Sequence, residues 1–487
     1  MEMKIPRCMS TQHPDNVNSP FFTESSEIGG EDEIMEAYYA FSHLGCDEQM
    51  WDVEGKEIDN YVVKKLITKY ENYFYENRLG KDIFLTLRVP NPTVEKAEAK
   101  ILIETLESIP RSFDASNLMF QDDIAPIFEV ILPMTTSPKC VDRVYRYYRD
   151  FVVGKSQKSF AEGDITIEQW IGKFLPEKIN VIPLIEDMEH MLNADQIIKD
   201  YLSDKEDKCH RIFFARSDPA MNYGLVSAVL INKIALQKTY QLSQKTGIEL
   251  YPIVGVGSAP FRGNLTPNTV KMVAKEYPYT HTFTIQSAFK YDYHPKEAME
   301  AIKILKETKK APARIVNETK CLEIIKKYAD EYTKQIILLA PFINKIARFI
   351  PSRRKRKLHI GLFGYSRNVG EIKLPRAITF TAALYSIGIP PEILGLNALN
   401  DKDLEFIKQT YINFEEDLKD ALAYYNPDVD FLPFDVKSKL KELSLDYKQN
   451  EEHKEISSEI IKLLKKSRFE GISEDIVIAA NIRKFLG

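Results

Sequence analysis

Short runs of mostly apolar residues alternate along the chain with longer stretches in which apolar residues recur at helical spacing. The runs occupy residues 50–53, 83–89, 127–133, 180–186, 211–217, 250–257, 281–287 and 357–364. Most of them are rich in Ile, Val, Leu and Phe, a composition typical of parallel strands that are buried on both faces. The pattern therefore predicts eight buried parallel strands separated by helices.

The stretches between the runs have the features of helices. Residues 225–247 carry apolar side chains at helical spacing and end at Gly247, and residues 95–109 behave similarly. Strands that are each followed by a helix predict an α/β fold, here a (β/α)8 TIM-type barrel elaborated with many additional helices. A doubly wound sheet is the alternative that the same alternation allows, and the number of units favours the barrel.

Three segments can be distinguished along the chain. Residues 1–47 are polar and rich in turn residues, which predicts an N-terminal arm that leads into a short helix ending at Gly45. Residues 48–390 contain the apolar runs and predict the barrel. Residues 391–487 are helical in pattern and highly charged, which predicts a helical extension packed outside the barrel or at a subunit contact.

The composition excludes several classes of protein. Of 487 residues, 44% are hydrophobic and 28% charged, as in a globular chain, and the formal net charge of -5 argues against a nucleic-acid partner. The five cysteines form no CxxC pair, so neither a disulfide framework nor a thiolate zinc site is predicted. The stretch MEMKIPRCMSTQHPDN has no apolar core long enough to predict a signal peptide, and no run approaches the ~20 apolar residues of a membrane helix. We therefore expect a cytoplasmic protein with no membrane partner.

Carboxylates stand at the ends of two consecutive predicted strands. Glu186 ends the fourth run, and Asp218 follows the fifth run, one strand–helix–strand unit later. On neighbouring parallel strands the two acids would lie at the same level, and two carboxylates with waters and substrate oxygens suit Mg²⁺ or Mn²⁺. Each acid could instead cap the helix after its strand, and the residues alone leave that alternative open.

Arginines and two neutral polar residues also follow the apolar runs. The arginines are Arg88, Arg216, Arg262 and Arg367, and the neutral residues are Ser217 and Gln286. A guanidinium can hold a phosphate or carboxylate through two parallel hydrogen bonds, so four of them predict a substrate that carries such groups. A structural salt bridge at the rim is the alternative for any one arginine.

Two further features are ambiguous by residue type. His13 lies in the polar segment STQHPDN, where a histidine is more often solvated than catalytic, although Pro14 and Asn16 would stiffen the segment. The basic run RRKRK at 353–357 directly precedes the eighth predicted strand. We expect it to be a solvated or subunit-facing loop, with an allosteric anion site as the alternative.

Seven segments together resemble the archaeal-type, short-form phosphoenolpyruvate carboxylases. In chain order they are MSTQHPDN, LRVPNP, PLIEDMEHMLNAD, FFARSDPAMNYG, GSAPFRGN, FTIQSAFKYDY and LPRAITFTAALYSIG. They extend from Met9 to Gly388 in the family's order, and such an ordered set is more specific than any single motif.

The resemblance implies an α/β barrel enzyme, a carbon–carbon lyase that fixes CO2. It would convert phosphoenolpyruvate and bicarbonate to oxaloacetate and phosphate, through carboxyphosphate and a metal-stabilised enolate. It also implies Mg²⁺ or Mn²⁺ as the cofactor, no biotin, and assembly as a homotetramer.

The resemblance further assigns roles to single residues. His13 matches the catalytic base of the family's histidine motif, which reverses the interpretation from residue type. Arg262 and Gln286 also match family positions, although PFRGNLTP and QSAF replace the glycine-rich and QGE continuations of the long enzymes. Strand-end position and the resemblance together give a candidate site with three groups of residues. These are the catalytic residues His13 and Arg262, the substrate-binding residues Arg88, Arg216, Ser217, Gln286, Arg367 and Arg376, and the metal ligands Glu186 and Asp218, of which Arg216, Ser217 and Arg367 rest on position alone.

Two rival functions remain. Another metal-dependent pyruvate or keto-acid aldolase or lyase would share the two carboxylates and an arginine, but would need neither His13 nor bicarbonate. A non-catalytic scaffold that senses anions would keep the barrel. The joint presence of Glu186, Asp218, Arg88 and His13 argues against that scaffold, because a degenerate site should have lost one of them.

Overall fold

Eight parallel strands form a closed barrel in the structure, a computed structural model that describes residues 4–53, 59–355, 368–369 and 372–487. The strands are β1 (Cys8–Ser10), β2 (Glu48–Asp52), β3 (Phe84–Arg88), β4 (Glu129–Leu132), β5 (Asn180–Ile185), β6 (Cys209–Ala215), β7 (Glu249–Gly255) and β8 (Thr282–Ile285). Each strand pairs in parallel with the next, and β1 closes the barrel against β8, where Met9 is opposite Thr284. The predicted barrel is confirmed, and the doubly wound sheet is excluded because an open sheet would leave β1 and β8 apart.

The first seven predicted strands are confirmed, but the barrel begins earlier than we expected. β1 lies within residues 1–47, so the prediction of an arm outside the barrel was wrong for Cys8–Ser10. Three residues are too few to show an apolar pattern, and hydrogen bonds to both neighbours define this strand. Asp47 N donates to Cys8 O over 3.2 Å, and Thr11 N donates to Ile285 O over 2.9 Å. The strand predicted at 357–364 lies outside the described residues, and the barrel closes without it.

Helices surround the barrel between its strands. In the described residues they are α1 (Glu31–Ser42), α2 (Val62–Lys69), α3 (Glu71–Glu76), α4 (Ala99–Phe120), α5 (Pro138–Arg146), α6 (Ile167–Ile171), α7 (Met188–Leu192), α8 (Ala194–Leu202), α9 (Ser217–Tyr223), α10 (Leu225–Thr246) and α11 (Val270–Glu276). A π-helical segment, Tyr147–Val153, continues α5. The helix predicted to end at Gly247 is confirmed as α10, and Gly247 stops it with a φ of 74°, a conformation that glycine adopts without strain.

The chain after β8 is mostly helical. It contains α12 (Ser287–Tyr291), α13 (Pro295–Glu307), α14 (Glu318–Ile346), β9 (Asn368–Val369), β10 (Ile372–Lys373), α15 (Ala377–Ser386), α16 (Asp401–Thr410), α17 (Phe414–Leu422), α18 (Phe434–Leu443), α19 (Glu451–Lys465) and α20 (Ile472–Arg483). Apolar residues of these helices join those of the barrel in one continuous core. Among the described residues no single helix has the length and apolar character to cross a membrane. α15 and Pro391–Ala398 reach that length and composition only as a pair, with a 92° bend between them.

The interior of the barrel is filled in layers. At the amino-terminal end, Arg211 on β6 pairs with Glu48 (2.7 Å) and Glu129 (2.8 Å), and all three side chains are buried. Above them lies an apolar layer that includes Met9, Met50, Ile131, Ile182, Leu184, Phe213 and Ile253. These layers fill the barrel at the amino-terminal ends of its strands, so an open site can form only at the carboxyl ends.

Candidate active site

A cavity of about 530 Å³ opens at the carboxyl ends of the barrel strands. Nine of the ten predicted site residues line it, namely His13, Arg88, Glu186, Arg216, Ser217, Asp218, Arg262, Gln286 and Arg376. The tenth, Arg367, lies outside the described residues. The structure therefore brings together residues that are spread over more than three hundred positions of sequence.

The barrel topology explains this convergence. Arg88 is the last residue of β3, Glu186 directly follows β5, and Gln286 directly follows β8. Asp218 lies in the first turn of α9, and His13 follows β1 by three residues. Because all eight strands run in the same direction, residues at their carboxyl ends reach one mouth.

Arg262 lines the cavity and is 2% exposed. Its Nε donates to Ser217 Oγ (3.1 Å), and its Nη2 donates to Gln286 Oε1 (2.6 Å). Its Nη1 donates to Asp15 Oδ2 (3.2 Å) and to the backbone oxygen of Gly487 (2.7 Å). Every nitrogen of this guanidinium thus has a partner, which fixes its orientation.

The loop that carries Arg262 is anchored on both sides of Phe261. Phe261 N donates to Glu392 Oε1 over 2.5 Å, and Phe261 O accepts from Arg216 Nη1 over 3.1 Å. Tyr385 OH also donates to Glu392 (2.7 Å), and burial raises the pKa of this carboxyl to about 7. Arg216, which we expected to bind substrate, uses its guanidinium here to support the Arg262 loop.

Close packing leaves no room for a side chain at Gly257, in the loop that carries Arg262. A Cβ added at Gly257 would lie 2.8 Å from Arg262 Nη1 and 3.1 Å from Gln286 Oε1. Only glycine leaves room for the arginine at this point. The glycine at position 257 therefore has a definite steric cause.

His13 is half-buried at the cavity wall, and its Nδ1 lies 2.9 Å from Thr11 Oγ1. The segment before it is held by the buried Lys290, whose Nζ donates to Thr11 O (2.9 Å) and Ser10 Oγ (3.1 Å). Lys290 in turn pairs with Glu36 over 2.9 Å. The histidine is thus held by a folded segment rather than by a solvated arm.

The two predicted metal ligands do not cap helices, so that alternative was wrong. α7 begins after Asp187, and it is Asp187 whose side chain accepts from His190 N (3.1 Å). α9 begins after Arg216 without a side-chain cap. Glu186 instead accepts a hydrogen bond from Met134 N over 2.8 Å, on the neighbouring strand end. Both residues line the cavity.

The donor set is consistent with a hard divalent cation. Glu186 and Asp218 line one cavity, and the described residues contain no group of three or more His, Cys, Asp or Glu that could hold a metal. Mg²⁺ usually binds through one or two carboxylates and completes its shell with waters and substrate oxygens. Two carboxylates beside a cavity that also contains arginines fit that preference better than the nitrogen- and sulfur-rich shell of zinc.

The basic run is partly buried, against our expectation of a solvated or subunit-facing loop. Arg353 and Arg354 both line the cavity, and Arg354 is 1% exposed. Arg354 pairs with Glu33 and Glu36, each at 2.8 Å. Burial alone would raise the pKa of Glu36, but Arg354 and Lys290 outweigh it and lower that pKa to about 2. The rest of the run, beyond Lys355, lies outside the described residues.

Several supporting residues were not predicted. Asp15, Glu36 and Glu392 hold Arg262, the His13 segment and the Arg262 loop in place. Only Asp15 had a signal in the sequence, since it stands in the same TQHPDN segment as His13. The other two are acids within helical or turn stretches, and nothing local distinguishes them from surface residues.

Comparison with known proteins gives consistent matches over the whole chain. A family model described as phosphoenolpyruvate carboxylase matches residues 5–487. The phosphoenolpyruvate carboxylase of Methanothermobacter thermautotrophicus is 57% identical over 485 residues, covering 100% of both chains, and that of Methanospirillum hungatei is similar to the same extent. A solved structure, the Haloferax volcanii malate synthase magnesium/glyoxylate complex, overlaps 69% of this chain and 85% of its own with 9% identity and a TM-score of 0.41. At that score, the structural likeness supports no statement about function.

Proposed function

This chain belongs to the phosphoenolpyruvate carboxylase family, and from that premise we propose how the residues of the cavity carry out the reaction. The family's reaction joins phosphoenolpyruvate and bicarbonate to give oxaloacetate and phosphate. The observation that carries the proposal is the convergence of His13, Arg88, Glu186, Asp218 and Arg262 on one cavity.

The substrate is an anion at both ends, and arginines are the natural groups to hold it. We assign phosphate and carboxylate binding to Arg88, Arg262 and Arg376, with Gln286 and Ser217 completing the contacts. Arg88 is itself oriented by Asp52 at 3.0 Å. Arg216 is assigned a supporting role, because its partners Phe261 O and Tyr277 OH are not part of the cavity lining. The side-chain partners Ser217 and Gln286 of Arg262 do line the cavity.

Bicarbonate then attacks phosphorus, and the bond between phosphorus and the enol oxygen breaks. The products of this step are carboxyphosphate and the enolate of pyruvate. The arginines lower the cost of the transfer because they stabilise negative charge on the transferring phosphoryl group. Both products are labile in water, so the site must keep solvent away from them.

His13 acts next, as the base. It takes the proton of the carboxyphosphate carboxyl group, and the C–O bond to phosphate breaks to release CO2 beside the enolate. The methylene carbon of the enolate adds to CO2 and gives oxaloacetate. This assignment is supported by the position of His13 at the cavity wall and by its contact with Thr11, which orients the ring.

We propose Glu186 and Asp218 as the residues that hold Mg²⁺ or Mn²⁺. When bound, such an ion supplies positive charge that offsets negative charge developing on substrate oxygens. Glu186 is oriented for this task by its hydrogen bond from Met134 N. We also propose, on the family resemblance, that the protein is cytoplasmic and assembles as a homotetramer, which size-exclusion chromatography with light scattering would test.

The decisive experiment measures oxaloacetate release from phosphoenolpyruvate, coupled to malate dehydrogenase, with and without bicarbonate. We expect turnover that requires bicarbonate and a divalent ion and that is abolished in His13→Asn and Asp218→Asn. His43→Asn, an exposed histidine at the end of α1, is the matched control and should retain activity. Turnover that does not depend on bicarbonate would favour the rival keto-acid lyase and overturn the proposal.

A further inference from the structure

Asp15 links four segments of the active site, although no role was assigned to it from the sequence. Its side chain is completely buried. Oδ1 accepts from Ala288 N (2.7 Å) after β8, and Oδ2 accepts from Ser258 N (3.4 Å) after β7. Its backbone oxygen accepts from Leu486 N (2.7 Å), and its backbone nitrogen donates to His13 O (3.1 Å).

The same carboxylate forms an ion pair with Arg262. Oδ2 lies 3.2 Å from Nη1, and both side chains are nearly inaccessible to solvent. The other side-chain partners of Arg262 in the described residues, Ser217 and Gln286, are neutral. A buried guanidinium depends strongly on a compensating charge, and Asp15 is the one charged side chain among the described residues that hydrogen-bonds Arg262, with Asp218 adding a longer-range attraction.

We propose that Asp15 is a positioning residue that fixes Arg262 relative to His13. The inference rests on the catalytic roles proposed above for those two residues. Asp15 lies two positions after His13 and contacts Arg262 directly, so it joins the base and the anion-binding group through one short, rigid connection.

The chemistry makes this connection consequential. His13 must deprotonate carboxyphosphate while Arg262 still balances charge in the same cavity, and CO2 must reach the enolate before a proton does. If the enolate is protonated first, the products are pyruvate, phosphate and CO2 instead of oxaloacetate and phosphate. Misplacing Arg262 relative to His13 should therefore change the product ratio as well as the rate.

The alternative role for Asp15 is to order the loop without acting on catalysis. The chain offers a matched residue for that role in Asp292, a second buried carboxylate, which directly follows α12 and accepts hydrogen bonds from the loop that carries Asp15. Asp292 accepts from Val17 N (2.7 Å) and Asn18 N (2.8 Å). Within the part of the chain that the structure describes, the carboxylate of Asp292 bonds Val17 and Asn18 and not Arg262.

The test compares Asp15→Asn with Asp292→Asn. Both changes keep the shape of the side chain and replace one accepting oxygen by a donor, but only the first removes the ion pair with Arg262. For Asp15→Asn we expect kcat for oxaloacetate to fall about 100-fold, the effect typical of a small misplacement of reacting groups. We also expect KM for phosphoenolpyruvate to change less than kcat, and the fraction of pyruvate among the products to rise. Asp292→Asn should leave the product ratio at the wild-type value.

A third variant covers the case in which Asp15→Asn fails to fold, which circular dichroism and thermal melting would reveal. Asp15→Glu keeps the compensating charge but displaces it by one methylene, so it should also raise the pyruvate fraction. An unchanged product ratio in every folded Asp15 variant, or an equal rise in Asp292→Asn, overturns the inference. Absence of bicarbonate-dependent oxaloacetate formation by the wild-type protein overturns the proposed function instead, and the inference with it.

Discussion

The two walls of the cavity differ in how they are built. The buried wall consists of Asp15, Arg262 and Gln286, whose side chains are at most 4% exposed and hydrogen-bond in a chain. The accessible wall consists of Arg88, Asp218 and Arg376, which are half-buried and line the opening. Both walls carry arginine, so the difference lies in the surroundings and not in residue type.

This difference indicates a division of labour. On the buried wall the protein has replaced water by fixed partners, so charge is held in place before substrate arrives and no reorganisation is needed during the reaction. On the accessible wall the side chains keep part of their surface open to the cavity in which we propose that the ion and the substrate bind. Changes on the accessible wall should therefore weaken binding, whereas changes on the buried wall should disturb geometry.

The largest effect should come from Asp218→Asn on the accessible wall. We expect kcat/KM to fall about 1000-fold or more, the upper range for removal of one group that stabilises transition-state charge. We also expect the rise in melting temperature caused by Mn²⁺ to disappear. The fold should persist, because Asp218 does not cap α9. Retention of both activity and Mn²⁺ stabilisation would show that the ion binds elsewhere.

A smaller loss is expected for Arg262→Lys on the buried wall. An ammonium group cannot contact Ser217, Asp15 and Gln286 together as the planar guanidinium does, so we expect kcat to fall about 100-fold. Arg88→Lys is the comparison on the accessible wall, where we expect mainly a higher KM for phosphoenolpyruvate. Steady-state kinetics of both variants would separate the two walls, and equal effects on kcat and KM in both would contradict the division.

The support behind the buried wall should have a pH signature. Burial raises the pKa of Glu392 to about 7, so its protonated form stabilises the fold at low pH, and this contribution is lost as the pH rises from about 4.5 to about 7. Glu392→Gln cannot ionise and keeps an oxygen to accept from Phe261 N. We expect it to gain about 2 kcal/mol relative to wild type between pH 5 and pH 8. Urea unfolding at both pH values measures this, and parallel pH dependence in the two proteins would refute it.

The smallest effect concerns the carboxylate next to the proposed metal ligand. Asp187 caps α7, so Asp187→Ala should lower the free energy of unfolding by about 1 kcal/mol. Activity should survive in this variant, in contrast to Glu186→Gln. Thermal melting and the coupled assay would check this pair, and an inactive but fully stable Asp187→Ala would reverse the two assignments.

Much of the site could be predicted because each residue stands at a recognisable strand end. Arg88, Glu186, Asp218 and Gln286 follow apolar runs, and the parallel topology alone places them at one mouth. Arg216 follows the same rule, yet its guanidinium contacts Phe261 O and Tyr277. The position of the backbone was predictable, but the direction of a long side chain depends on neighbours that are remote in sequence.

The place of β1 in the barrel and the burial of the basic run could not be predicted from local sequence. Cys8–Ser10 is too short to have an apolar period, so its membership of the barrel is set by the edges of β2 and β8. Arg353 and Arg354 looked like surface residues because a charge run is usually solvated. Glu33 and Glu36 on α1 provide the compensating charges that allow burial of Arg354. No local sequence pattern predicts this pairing, because the partners are far apart along the chain.

The sequence by itself determined the barrel architecture, seven of its eight strands and the family, because apolar runs and ordered motifs can be recognised within short stretches of sequence. Only the tertiary structure decided which charged groups are buried together. The pairs Asp15–Arg262 and Glu36–Arg354, and the contact of Glu392 with Phe261, join segments 131 to 318 positions apart. Burying a charge is costly unless a partner is already in place, and folding alone brings such partners together.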